Sequence, residues 1–160
     1  MIVNFTLNGK QVSYKVHPGE SLFEVLRKEG NFEVKGDNCR DGSCGACTVL
    51  LDGVPVPSCT ILIGKVEGRE VETVKTLGEA PNLHPIQRAF LEKGGVQCGY
   101  CTPGMLLVVK ALLSRNPDPT PEEIREELSG NICRCTGYIQ QIESVERAVE
   151  ILRGEVDEKL

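Results

Sequence analysis

The residues of this chain best equipped for chemistry are its eight cysteines, which fall into two sets of four. The first set runs Cys39-x4-Cys44-x2-Cys47-x11-Cys59, and the second runs Cys98-x2-Cys101-x31-Cys133-x1-Cys135. Three thiols in nine residues, spaced by Gly42 and Gly45, describe a loop wrapped around a compact anionic object rather than two knuckles gripping one ion. Glycines let backbone amides turn inward where side chains would crowd. In an extended stretch residues i and i+2 point the same way, so Cys133 and Cys135 can face one centre while Arg134 turns outward. Cys101 and Cys135 each precede a threonine, Thr102 and Thr136, expected to cap a helix. The orphan N–H groups and positive dipole end of such helices favour thiolates.

Several chemistries fit eight thiols. The cysteine density lies below that of a secreted disulfide scaffold. The opening MIVNFTLNGK has no basic stretch followed by an apolar run, so no export signal is expected. The longest apolar run, 105–109, is far short of a membrane span. A cytoplasmic location is the expectation, and in a reducing cytosol clustered cysteines bind metal or do redox chemistry more often than they pair. Two four-thiolate zinc sites match the count, although only Cys98/Cys101 has the paired C-x2-C form that zinc favours. A Rieske centre needs two histidines, and His17 and His84 lie outside the motifs as surface or capping residues. The spacing of the first set matches the plant-type [2Fe-2S] pattern. A net charge of -5 leaves no broad basic surface for nucleic acid or anionic membrane. With no Trp there is little aromatic platform for stacking bases.

The elements that must position these thiols are legible in outline. Val3, Phe5 and Leu7, then Asn8-Gly9, then Val12, Tyr14 and Val16 predict a β-hairpin. The Ser21 to Glu24 capping box opens a helix that stops at Gly30. After the Gly-rich loop over 35–45 come strand-like pieces at 48–51, 60–63 and 70–74, with a turn at Asp52-Gly53. Periodicity lapses over 75–85, where a boundary between two domains is expected. Beyond it, helices are expected over 85–93, 102–115, 120–128 and 137–153, with Thr102 and Thr120 as N-caps before prolines, Gly130 as a stop and 155–160 frayed. The fold class expected is therefore α+β, with a first domain over 1–76 of one helix against a mixed sheet, a linker over 77–84 and a helical domain over 85–160.

Three motifs, Cys39-Arg-Asp-Gly-Ser-Cys-Gly-Ala-Cys-Thr-Val49, Gln97-Cys-Gly-Tyr-Cys-Thr-Pro-Gly-Met105 and Gly130-Asn-Ile-Cys-Arg-Cys-Thr-Gly-Tyr138, occur in one order along nearly the whole chain. Together they resemble the iron-sulfur subunit of the xanthine oxidase family of molybdenum hydroxylases. The resemblance implies an N-terminal β-grasp, plant-type ferredoxin-like domain and a C-terminal four-helix bundle domain, each with one [2Fe-2S] cluster. Cys39, Cys44, Cys47 and Cys59 would hold the first cluster, and Cys98, Cys101, Cys133 and Cys135 the second. Gln97 and Cys135 match positions that also contact molybdopterin. Electrons would pass from the molybdopterin of a large subunit through both clusters to FAD on a medium subunit, in a hetero-oligomer up to a dimer of heterotrimers. The family usually has Gly where this chain has Asn38, the residue next most tolerant of a left-handed backbone. No G-x-G-x-x-G, phosphate loop or nucleophile with an adjacent base is present, so no catalytic residue is expected on this chain. An autonomous two-cluster ferredoxin-like carrier is the alternative reading.

Overall fold

Alternation of Val3, Phe5 and Leu7 buries one side of β1 (Ile2–Leu7), which pairs antiparallel with β2 (Lys10–Lys15) and sets Val3 opposite Tyr14 and Phe5 opposite Val12. Asn8 and Gly9 both have positive φ, 50° and 77°, as a two-residue hairpin turn of matching twist requires. These relations come from a computed structural model, which describes residues 1–37 and 39–154. The expectations for Asn38 and for 155–160 fall outside the described residues.

Helix α1 (Leu22–Lys28) begins at the expected capping box, with Ser21 Oγ accepting from Glu24 N–H and the Glu24 carboxylate accepting from Ser21 N–H. Its Leu22, Val25 and Leu26 are buried. Strands β3 (Thr48–Leu51) and β4 (Val54–Pro57) form a second hairpin through Asp52 and Gly53. The short β5 (Glu70–Glu72) lies parallel to β1 and antiparallel to β3, giving the order β2-β1-β5-β3-β4. The fold is thus α+β, with a mixed sheet in the first half.

The strand expected over 60–63 is replaced by 3-10 turns at Ser58–Thr60 and Ile63–Val66, with only an isolated bridge between Leu62 and Ser21. The change comes at Ser58, whose hydroxyl and N–H both donate to the Cys47 carbonyl, at 2.7 and 3.3 Å. The N–H bond is the next rung of the β3–β4 register, and beyond it the chain turns and carries Cys59 past the end of the ladder.

The second half contains α2 (Pro85–Glu92), α3 (Thr102–Arg115), α4 (Pro121–Leu128) and α5 (Ile139–Leu152). His84 caps α2 through Nδ1, which accepts from Ile86 N–H, and Thr120 caps α4 in a box with Glu123. Two expected caps move. Cys101, not Thr102, occupies the N-cap of α3. Helix α5 starts two residues later than expected, because Gly137 and Tyr138 have φ of 67° and 72°, which a right-handed helix forbids. Thr136 Oγ1 instead accepts from Tyr138 N–H, and the Tyr138 hydroxyl folds back to accept from Cys133 N–H. Gly130 is not a left-handed stop either, since Ser129 closes α4 in a right-handed conformation.

Two apolar cores result. One gathers Val3, Phe5, Leu22, Leu26, Val49 and Val71, and the other gathers Ile86, Phe90, Met105, Val109, Ile124 and Val145. A third cluster, Leu50, Leu107 and Ala111, joins β3 to α3 between them. All four residues of β3 are therefore buried, one face toward α1 and the other toward α3. Lys110 on α3 adds an ion pair to Glu72 of β5 and a 3.2 Å bond to Thr76 Oγ1.

Candidate metal centres

The first cysteine set lies on the loop between α1 and β3 and on the Ser58–Thr60 turn. Its thiols meet two by two: Cys39 Sγ is 3.2 Å from Cys44 Sγ, and Cys59 is hydrogen-bonded to Cys47. Amides surround them. Those of Asp41 and Cys44 donate to Cys39, that of Gly42 to Cys59 and that of Ala46 to Cys44. The cradle depends on missing side chains, since a Cβ on Gly36 would stand 2.8 Å from Cys47 Cβ and 2.9 Å from the Phe23 ring.

The second set joins the ends of α3 and α5. Cys101 is buried and hydrogen-bonded to Cys133, while Cys98 and Cys135 form an exposed outer pair. Thr136 Oγ1 lies 3.2 Å from Cys133 Sγ, and the buried Gln141 of α5 points Nε2 at Cys101 Sγ from 3.8 Å.

The pairs share their ionisation unequally. The neighbouring Cys44 thiol and the loop amides bring Cys39 down to about 7, whereas burial raises Cys44. Burial pushes Cys59 up to about 12, reinforced by Cys47. Burial likewise pushes Cys101 up to about 12, while at Cys133 burial is outweighed by the Thr136 hydroxyl and nearby amides, giving about 7. The Tyr100 amide lowers Cys98, and Cys98 in turn raises Cys135. In three pairs one thiolate forms readily and the second proton resists leaving until a cation replaces it.

This donor chemistry suits a two-iron group better than a lone ion. A single tetrahedral metal needs four donors converging on one point. Among the described residues no three His, Cys, Asp or Glu side chains converge in that way, whereas each set presents two separate thiol pairs inside a ring of amides. N–H groups directed at sulfur stabilise the negative charge of such a cluster.

The two sets adjoin each other. Cys44, Ala46, Cys98, Cys101, Ile132 and Cys133 line one cavity of about 270 Å³. Ile132 N–H donates to the Cys44 carbonyl at 2.9 Å, and Asn131 Nδ2 donates to the Gly45 carbonyl at 2.9 Å. Gln97 is exposed, as are Cys98 and Cys135. His17 and His84 accept from the Gly19 and Ile86 amides. Sequence reasoning missed Ser58, Asn131, Tyr138 and Gln141. Asn131 and Tyr138 stand inside the third quoted motif, and Gln141 is a polar residue on the buried side of α5, four positions before Val145.

Comparison with known proteins agrees with this geometry. A family described as "2Fe-2S iron-sulfur cluster binding domain" matches residues 5–78, and one described as "[2Fe-2S] binding domain" matches residues 73–146. The chain is 45% identical over 148 residues to the nicotinate dehydrogenase small FeS subunit of Eubacterium barkeri, covering 92% of this chain and 94% of that one. It superposes on quinoline 2-oxidoreductase from Pseudomonas putida 86 with a TM-score of 0.89 at 40% identity, covering 98% of both chains. Against the aldehyde oxidoreductase of Desulfovibrio desulfuricans ATCC 27774 the TM-score is 0.92 at 40% identity, over 96% of this chain but 17% of that longer one. The chain belongs to the small iron-sulfur subunits of the xanthine oxidase family of molybdenum hydroxylases.

Proposed function

We propose that this chain is the electron-relay subunit of a molybdenum-dependent oxidoreductase, non-catalytic itself, and that its two thiol sets are the two stations of the relay. The observation that carries this reading is the direct hydrogen bonding between the two cysteine loops, Ile132 to Cys44 and Asn131 to Gly45. Cys39, Cys44, Cys47 and Cys59 would ligate one [2Fe-2S] cluster, and Cys98, Cys101, Cys133 and Cys135 the other. When bound, each cluster supplies a centre that takes up and releases one electron.

The chain's own residues do the rest. The amides of Asp41, Gly42, Cys44 and Ala46 donate to the first set's sulfurs, while Thr136 and Gln141 do so for the second. Burial of Cys47 and Cys101 keeps water from the inner side of each centre. The exposed face bearing Gln97, Cys98 and Cys135 is the side for the molybdopterin of a large subunit, with Gln97 and Cys135 as its contacts. The first centre then serves FAD on a medium subunit. The reading divides the chain into a β-grasp domain over 1–76, a linker over 77–84 and a four-helix bundle over 85–160. It places the complex in the cytoplasm, and among the described residues no helix is long and apolar enough to cross a membrane. An assembly up to a dimer of heterotrimers is consistent with relatives named as subunits of dehydrogenase complexes.

The test is co-purification followed by metal analysis and paramagnetic resonance. About four irons and four labile sulfides per chain are expected, with two distinct reduced [2Fe-2S] signals and molybdenum and flavin on co-isolated chains. Cys133→Ser should alter one signal only. Zinc in place of iron, or a monomer that exchanges electrons without partners, would overturn the reading.

A further inference from the structure

The carbonyl of Gly45, between two cysteines of the first set, accepts three hydrogen bonds: from Thr48 N–H at 3.2 Å, Thr48 Oγ1 at 2.7 Å and Asn131 Nδ2 at 2.9 Å. Thr48 belongs to the neighbouring strand, but Asn131 arrives from 86 positions away. Asn131 is only 3% exposed, and its own N–H is bound to the Leu128 carbonyl at the end of α4, so the side-chain amide is aimed from a fixed base.

A trans peptide sets its carbonyl and N–H on opposite edges. The far edge of the Gly45–Ala46 peptide is therefore the Ala46 N–H, which donates to Cys44 Sγ. Ile132 grips the preceding peptide in the same way at the Cys44 carbonyl. Space for this grip comes from two glycines. A Cβ on Gly45 would stand 2.2 Å from the Gly130 carbonyl oxygen, and one on Gly104 would stand 2.6 Å from the Gly45 carbonyl oxygen. A hydrogen bond received at a carbonyl polarises its peptide and strengthens donation from the N–H of the same group. Donation to a ligand sulfur favours the reduced, more negative state of a cluster and so raises its potential.

We propose that Asn131 is a positioning residue for the first centre: from the other half of the chain it holds the Gly45 carbonyl, aims Ala46 N–H at Cys44, and thereby raises that centre's reduction potential. The proposal rests on the reading that the first cysteine set holds a [2Fe-2S] cluster, which the two signals of the wild-type complex test independently.

The experiment is a redox titration of the assembled complex followed by paramagnetic resonance, comparing wild type with Asn131→Leu, Asn131→Ala and Thr48→Val. In all three variants the first centre should become harder to reduce, by about threefold to tenfold in its equilibrium constant, tenfold being 59 mV for a one-electron couple. The second centre should stay in place. Thr48→Val is the milder variant, since it removes one donor to the same carbonyl and leaves Asn131 untouched. Unchanged potentials, a shift confined to the second centre, or equal shifts at both would overturn the proposal. Failure of every variant to load the first centre would overturn it too, reducing Asn131 to a structural role.

Discussion

Gly104→Ala should destabilise the protein, against the usual sign for a helix. Replacing Gly by Ala inside a helix ordinarily gains up to about 1 kcal/mol. Here the new Cβ would stand 2.6 Å from the Gly45 carbonyl oxygen, 3.0 Å from Asn131 Nδ2 and 3.4 Å from the Ala46 carbonyl oxygen. Two of these are backbone atoms that cannot swing aside. Relief requires the first turn of α3 to back away from the first cysteine loop. Stranding the buried Asn131 amide costs about 1–3 kcal/mol, and losing the Ile132 bond to Cys44 costs about 0.5–1.5 kcal/mol more. After the propensity gain, the net loss is about 0.5–3.5 kcal/mol, equivalent to about a 2–300-fold change in an opening equilibrium. The assay is the rate at which the visible cluster absorbance of the complex bleaches in excess chelator, where opening precedes capture. Gly64→Ala, whose Cβ would meet only Met1 Cε at 3.8 Å, is the control and should bleach at the wild-type rate. A Gly104→Ala rate equal to or below wild type would refute the reasoning, because helix propensity would then outweigh the contact.

Other perturbations test separate parts of the structure. Ser21→Ala removes the hydroxyl of the α1 capping box and should cost about 1 kcal/mol, read as a lower midpoint for thermal bleaching. The Glu24 carboxylate is held below its ordinary range of about 4.5 by Ser21's amide and hydroxyl, so its contribution is present above the unfolded value and is lost as pH falls through the folded one. The stability gap between wild type and Glu24→Gln should therefore narrow on acidification below about 4.5, measured by denaturant midpoints across pH. Lys110→Met breaks the pair with Glu72 that ties α3 to β5; it should speed bleaching by less than Gly104→Ala, and by less again at high salt, because a pair still partly open to solvent is worth about 1 kcal/mol. Gln141→Leu removes the donor facing Cys101 and should lower the second centre's potential while leaving the first unmoved.

What the sequence made legible follows from range. Local signals carried through: the Asn8-Gly9 and Asp52-Gly53 turns, the Ser21 and Thr120 capping boxes, and α3 over its full length, because each is decided by bonds spanning a few residues. Beside the cysteines the caps were misplaced: Cys101 rather than Thr102 caps α3, and α5 begins at Ile139, past Thr136. At the α5 start the threonine and tyrosine side chains bond to the cysteine loop, Thr136 beside Cys133 Sγ and Tyr138 at Cys133 N–H. The 3-10 turn at Ser58–Thr60 was hidden for the same reason, since the Ser58 hydroxyl at its start bonds to Cys47, 11 residues away. At the candidate centres the thiols could be grouped from spacing alone. Which thiol faces which, and the grip of Asn131 on Gly45, could not, because that contact spans 86 positions and involves a residue type ordinary in loops.

Strand β3 is interior on both faces, shared by the two cores and sealed to α3 by Leu50, Leu107 and Ala111. A strand so placed ties the two halves together, since sliding one past the other would break the Leu50, Leu107 and Ala111 contacts and the Asn131 bond to Gly45. Electron tunnelling falls off steeply with separation, and a jointed carrier would have to wait for its halves to swing together. This chain has its separation built in. Passage along it should therefore be indifferent to solvent viscosity, and any viscosity dependence of turnover belongs to steps outside the chain.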